Sequence, residues 1–399
     1  MRKLIVWLLA LPLAALAMSA AIGGATKLRN PSVAEQMWPT PGLTFQKQAE
    51  TSFASRIGDE LTQIDSAYRP EDGVLARQAF AKEPSAYYAL SLLALDASAT
   101  GDANRARDMF AILSELDKRQ TLANLWQLFD YGNREQLGPM MRSADQLFRS
   151  NVQARDRIMP GLADATAIEG AVPAIEAELA DNPPWAWQYW WSLVRKPAAF
   201  DNGAELRARA HRLGLETPPG FDRAFLFALA EAGKLDAAQS LAAELGDTEP
   251  LRLTSGGTLT FDFTESGGLP PFAWDVVSEG EYGGYYDPQL GELGISAMAR
   301  TGGTVAQRLI AVAPGTYLMT VQARLMNTAE APASVTMRCA NRARTQFAGV
   351  ELTERNSSGR FTVPSDNCAF GWIEVQAESV DDAEGYDIAV ETIRIAPAS

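Results

Sequence analysis

The sequence predicts two fold classes in succession, α-helical hairpins and then an antiparallel β-sandwich, and three observations carry that reading. From about Thr51 to Leu245 apolar residues recur at helical spacing in segments rich in Ala, Leu, Arg and Glu. From about Glu249 two-residue alternation takes over, Gly, Thr and Val rise, and Lys is absent after Lys234. An uncharged apolar run precedes both halves. The expected divisions are an apolar N-terminal helix over 1–25, a linker over 26–50, a helical domain over 51–248 and a sandwich over 249–399. A chain of 399 residues is ordinarily two or three domains.

The N-terminal run is LIVWLLALPLAALAMSAAIGGA, uncharged from Leu4 to Ala25 and preceded by MRK. At about 1.5 Å per residue it reaches about 33 Å, enough to cross a hydrocarbon core. A basic start, an apolar stretch and small residues near Ser19–Ala21 also describe a secretory signal. The run is long for a signal peptide, so an uncleaved single-pass anchor in the inner membrane is preferred over cleavage. Both readings place Thr26–Ser399 on the periplasmic side.

The helical half shows AYYALSLLALDA (86–97), ANRARDMFAILSELDK (103–118), GAVPAIEAELA (170–180) and FDRAFLFALAEAG (221–233), separated by the short breakers ATGD, DNPP and ETPPG. Helices of this length joined by short turns predict stacked hairpins. A spacing recurs: Gly101, Ala106, Phe110 and again Gly233, Ala238, Ala242. It places a glycine at an inter-helix turn and small residues where two helices approach. This spacing resembles the tetratricopeptide repeat, and the resemblance implies a solenoid that binds a protein segment. NPPWAWQYWWSLVRK adds Trp187, Trp190 and Trp191, with Trp187 and Trp191 at i, i+4 on one helix face. They are read either as a docking face for a protein partner or the membrane surface, or as core between hairpins.

The strand half contains TLTFDFT, TYLMTVQARL, ASVTMRCA, GRFTVPS, AFGWIEVQA and YDIAVETIRI, several bounded by Gly- and Pro-containing turns. Such a series predicts a two-sheet antiparallel sandwich. Cys339 and Cys368, the chain's two cysteines, read as a disulfide in an exported protein. The segment AQRLIAVAPGTYLMTVQAR is similar to the core hairpin of jelly-roll carbohydrate-binding modules, with a tight turn at Pro314–Tyr317. The whole arrangement resembles exported proteobacterial proteins that join tetratricopeptide-like helices to such a sandwich and are associated with exopolysaccharide assembly. That resemblance implies location and context, a protein partner in the polysaccharide machinery and a polysaccharide ligand, with no reaction attached.

Function classes narrow further on composition. The net charge of −14 disfavours nucleic acid and anionic surfaces, because phosphate binding needs clustered Lys and Arg. From Leu251 on there are ten Arg and eighteen Asp plus Glu, a net charge of −8, which favours neutral sugars or protein over polyanions. The single histidine, His211, sits in RARAHRLG with no triad partner motif. No phosphate-loop motif occurs. Two thiols and one His do not assemble a zinc site, and no cofactor is called for. Asp381, Asp382 and Asp387 are weak Ca²⁺ candidates, read first as a solvated acidic turn.

The stretch PPFAWDVVSEGEYGGYYDP (270–288) is the ligand candidate. Aromatic faces stack on the C–H side of pyranose rings, and carboxylates take the hydroxyls. Trp274, Tyr282, Tyr285 and Tyr286 supply the rings. Phe272 and Trp274 alternate with Ala273 and are expected to point into the core, leaving the three tyrosines as the surface candidates. The expected function is therefore a non-catalytic envelope scaffold with a glycan-contacting sandwich. The alternatives are a glycan-active hydrolase or lyase using two carboxylates, or a purely structural periplasmic protein.

Overall fold

The structure is a computed structural model that describes residues 18, 41–57, 64–246, 251–261, 263, 268–287, 289–326, 333–341, 345–352, 356–379 and 385–398. Apart from Met18, the apolar run over 4–25 lies outside these residues. Among the described residues no helix is long and apolar enough to cross a membrane. The longest, Pro41–Ile57, has 17 residues and carries Lys47, Glu50 and Arg56, whereas a span needs about 20 apolar residues. The expected single-pass inner-membrane anchor falls on that run, outside the described residues, and is corrected to this extent: no described helix supports it.

Chain compactness gives two units, Met1–Met159 with Pro183–Trp185, and Pro160–Asn182 with Ala186–Ser399. The switch from helix to strand falls elsewhere, between Glu244 and Arg252.

The first unit holds α1 (Pro41–Ile57), α2 (Ile64–Ala67), α3 (Pro70–Lys82), α4 (Tyr87–Ala99), α5 (Ala103–Leu116), α6 (Thr121–Asn133), α7 (Leu137–Ser150) and the start of α8 (Val152–Ala165). The expected linker over 26–50 is therefore helical from Pro41 on. Buried Ala49 and Phe53, four apart, give that helix its inward stripe. The α4–α5 hairpin turns at Gly101, whose φ of 89° is a left-handed conformation that glycine adopts without strain. Asp102 then caps α5 by accepting from the Arg105 N–H at 3.2 Å. Ala106 and Phe110 are buried, and Phe110 stacks on Trp126 of α6 at 4.5 Å.

The second unit continues with α9 (Ala171–Leu179), α10 (Ala186–Leu193), a 3₁₀ turn at Pro197–Ala199, α11 (Phe200–Arg212), α12 (Phe221–Glu231) and α13 (Leu235–Glu244). The α12–α13 hairpin repeats the device of α4–α5, with Gly233 at φ 76° and Ala238 and Ala242 buried where the helices meet.

Twelve described strands follow: β1 (Arg252–Leu253), β2 (Leu259–Phe261), β3 (Asp275–Val276), β4 (Tyr282–Asp287), β5 (Glu292–Ala297), β6 (Gly303–Val312), β7 (Gly315–Leu325), β8 (Ala333–Cys339), β9 (Gln346–Glu351), β10 (Asn356–Val363), β11 (Phe370–Ala377) and β12 (Tyr386–Pro397). One sheet runs β1-β6-β11-β8-β9 with β3 also on β6; the other runs β10-β7-β12-β5-β4 with β2 on β12. Among the described strands every pairing is antiparallel except the short β1–β6 pair. Strict alternation makes the core. Along β7, Tyr317, Met319, Val321 and Ala323 are buried while Leu318 and the residues alternating with it face outward. They join Val335, Met337, Ile373, Val375, Ile393 and Ile395 in one inter-sheet cluster. The predicted disulfide is present: Cys339, closing β8, is bonded to Cys368, just before β11, with Cα atoms 5.2 Å apart.

The outer face of the first sheet is not bare. α12 lies on it, with Phe227 stacked on Trp372 at 5.7 Å and 12°. Arg223 donates Nε and Nη2 to the two carboxylate oxygens of Asp275 at 2.8 and 2.9 Å.

Candidate functional site

The stretch 270–288 splits into two environments. Its first part enters the core: Phe272 and Trp274 are buried, and Trp274 packs against Phe261 at 5.7 Å and Phe263 at 5.4 Å. Trp274 is thus placed in the core and contributes no surface ring. Its second part is β4, the edge strand of the second sheet, where the two-residue period sorts the tyrosines by face. Tyr282 and Tyr286 turn inward against the inter-sheet cluster. The Tyr286 hydroxyl donates to the Trp274 carbonyl at 3.5 Å, and burial pushes its pKa up to about 12. Tyr285 faces outward and is 48% exposed.

Register fixes what lies beside Tyr285. Across the sheet it pairs with Gly294 of β5, which pairs with Ala389 of β12, which pairs with Arg324 of β7. A Cβ at Gly294 would collide with three atoms of the Tyr285 ring at nearly equal distances. The ring therefore lies across the glycine, and only the missing side chain allows it to lie so close. Gly283 and Ser296, paired in the next row, extend a floor of small residues. From the far side, Arg324 reaches Glu292 by a Nη2–Oε2 ion pair and lies 3.8 Å from Glu391. Asp287 accepts from the N–H groups of Gln289 and Leu290 at 2.9 and 3.1 Å, which occupies it in its own turn. Met298 and Met326 are exposed at the end of the same face.

Around the half-exposed ring the face thus offers a planar guanidinium and more carboxylate than cation, Arg324 against Asp287, Glu292, Asp387 and Glu391, while Arg360 and Arg394 lie outward further along the sheet. Such a surface stacks on an apolar ring face and hydrogen-bonds hydroxyls at its edge. Arg324, Glu292 and Gly294 were not among the sequence candidates. Their hydrophobic-polar alternation was visible, but the pairing register that sets them beside Tyr285 was not.

The remaining candidates lie apart. On α10, Trp190 is buried, in contact with Tyr189 and Phe221, while Trp187 and Trp191 are 51% and 39% exposed and Trp191 also meets Phe221 edge-on at 6.2 Å. Asp381 and Asp382 fall outside the described residues. Asp387 belongs to β12 beside Ser296, and among the described residues no group of three or more His, Cys, Asp or Glu is set to hold a metal ion. His211 is exposed on α11.

No family model matches the chain, and no curated protein matches it. Solved structures similar to its C-terminal part include a CBM4, at 18% identity over 31% of this chain and 86% of its own, with a TM-score of 0.24. A family 29 carbohydrate-binding module complexed with cellulohexaose matches at 11% identity, over 34% and 89%, with a TM-score of 0.22. Another family 29 module matches at 12% identity, over 35% and 94%, also with a TM-score of 0.22. At such scores these likenesses assign no ligand to this chain.

Proposed function

We propose that this chain is a non-catalytic carbohydrate-binding protein, and that the outer face of its second sheet takes neutral sugar rings with Tyr285 as the stacking platform. The observation that carries this reading is the Tyr285 ring laid over Gly294, half-exposed and held in one orientation by the strand beneath it. A ring fixed in advance loses little freedom on binding, which favours affinity. Arg324 and the carboxylates around it supply donors and acceptors for hydroxyls. Their excess negative charge disfavours uronates and sulfated chains. The reading is non-catalytic because the carboxylates nearest Tyr285 are engaged, Glu292 by Arg324 and Asp287 by its own turn. The finer reading adds a role in exopolysaccharide assembly beside a protein partner.

Affinity electrophoresis of the full chain through gels containing neutral glucans, uronate polymers or bacterial exopolysaccharides tests this. Neutral chains are expected to retard the protein, and Tyr285→Ala to weaken retardation about tenfold, the size of a lost aromatic stack. No retardation on any polysaccharide removes the reading, and new reducing ends during incubation would replace it with an enzyme. Exposed Trp187 and Trp191 favour a second reading, protein docking through the helices. Replacing both by Ala should then lose a cross-linked partner while leaving polysaccharide retardation unchanged.

A further inference from the structure

The outer face of the second sheet is polarised in charge. At the Tyr285 end lie Asp287, Glu292, Asp387 and Glu391, and Arg324 among them is ion-paired with Glu292 and Glu391. Away from that end the character changes. On β7 the outward residues beyond Arg324 are Gln322, Thr320, Leu318 and Thr316. The Thr392 hydroxyl of β12 donates to the Gln322 amide oxygen at 2.9 Å. Thr320 is flanked by Arg394 of β12 and Ser358 of β10, and Leu318 by Arg360 of β10. Both arginines are exposed. From the Thr320 row onward, the outward residues described on β7, β10 and β12 include no carboxylate.

Tyr285 stands in the Arg324 row. At about 3.3 Å per residue along a strand, the Thr320 row is about 13 Å further on and the Leu318 row about 20 Å. β4, β12 and β10 are alternate strands of this sheet, so Tyr285, Arg394 and Arg360 fall along one diagonal. Thr392 and Thr320 lie between them and offer hydroxyls. The separation decides how the two ends act. Charge on an exposed surface is screened within about 8 Å at physiological ionic strength. An anion at the arginine end is therefore attracted by Arg394 and Arg360 and barely repelled by the carboxylates around Tyr285. A guanidinium takes a carboxylate in a planar, two-pronged geometry that a lone hydroxyl does not match.

We infer that the ligand of this face is a neutral polysaccharide carrying sparse carboxylate groups. A neutral ring stacks on Tyr285, and a carboxylate about 13 to 20 Å along the sheet is held by Arg394 and Arg360. The inference rests on the Tyr285 reading and refines its substrate class. A chain acidic on every ring brings charge onto the carboxylates around Tyr285 and is disfavoured. An unsubstituted chain binds at Tyr285 and leaves the two arginines unused. Arg394 and Arg360 are thus specificity residues, and no covalent step is involved.

The test is retention of the full chain on columns of one immobilised neutral glucan, unsubstituted, lightly carboxymethylated or heavily carboxymethylated. The lightly substituted glucan is expected to bind about threefold more tightly than the unsubstituted one, the size of an exposed ion pair. That gain should vanish in high salt, and the heavily substituted glucan should bind more weakly than the lightly substituted one. Arg394→Gln with Arg360→Gln should remove the gain and leave retention on the unsubstituted glucan unchanged, whereas Tyr285→Ala should weaken both. If the double variant fails to fold, the salt dependence of the wild-type gain decides instead. Equal retention on the unsubstituted and lightly substituted columns, or a gain that survives the folded double variant or high salt, overturns the inference and leaves the Tyr285 site standing. No retention on any of the three columns removes the Tyr285 reading and the inference with it.

Discussion

Two neighbouring tyrosines with opposite orientations decide what the candidate site is. Strand parity turns Tyr285 outward and Gly294 leaves room for its ring to lie on the sheet, so Gly294→Ala should drive the ring off it. The variant is expected to keep its fold, read by its melting temperature, and to lose polysaccharide retardation as fully as Tyr285→Ala. A folded Gly294→Ala protein that binds like the wild type would show that the ring's position is irrelevant. Tyr286, one residue on, has the opposite role. Burial raises its pKa from the ordinary value near 10 to about 12, so its neutral form is the one the fold prefers. The stability this gives is complete below pH 10, the unfolded value, and is lost as pH rises toward 12. Denaturant titrations at pH 8 and pH 11.5 should show a smaller alkaline loss for Tyr286→Phe than for the wild type, and equal losses would refute the assignment. The run YGGYY announced aromatic rings in this stretch; which ring faces water followed from strand parity, which the sequence carries only once the strand's ends are known.

At the scale of elements, the hairpin turns were the most legible part of the chain. Gly101 and Gly233 both sit at positive φ between paired helices, as their spacing to Ala106 and Ala238 implied. Gly233→Ala forces a side chain into a left-handed turn and should lower stability by about 1 kcal/mol, measured by urea denaturation. Because the site is open solvent, no clash adds to that figure. α1 was less legible. Its stripe, Ala49 and Phe53, begins inside a stretch whose Pro and Thr content reads as linker, and burial against neighbouring helices overrides that composition. β3 is only two residues long, too short to show a period, so its pairing with β6 could not be read from alternation. On α10, helical spacing placed Trp187 and Trp191 together correctly, but which of the three indoles is buried depended on where Phe221 and Tyr189 pack.

For the whole molecule, the Cys339–Cys368 bond closes a loop of sequence separation 29 and constrains the unfolded chain. Cys339→Ser with Cys368→Ser should cost about 3.6 kcal/mol on the chain-entropy estimate, read as a lower denaturation midpoint. A double variant as stable as the wild type would show that the inter-sheet cluster alone holds this end. The order helix then strand, the alternation that builds two sheets, the turn glycines and the paired cysteines are all set by the sequence itself, because each depends on neighbours a few residues apart or on simple period. Three things were decided by tertiary structure: that Tyr282 and Tyr286 turn inward and leave Tyr285 as the outward ring, that Arg324 and Glu292 stand beside that ring, and that Phe227 of α12 lies on Trp372. Each joins residues tens to more than a hundred positions apart through register and packing, and no local pattern in one chain records which distant strand or helix will come to lie alongside.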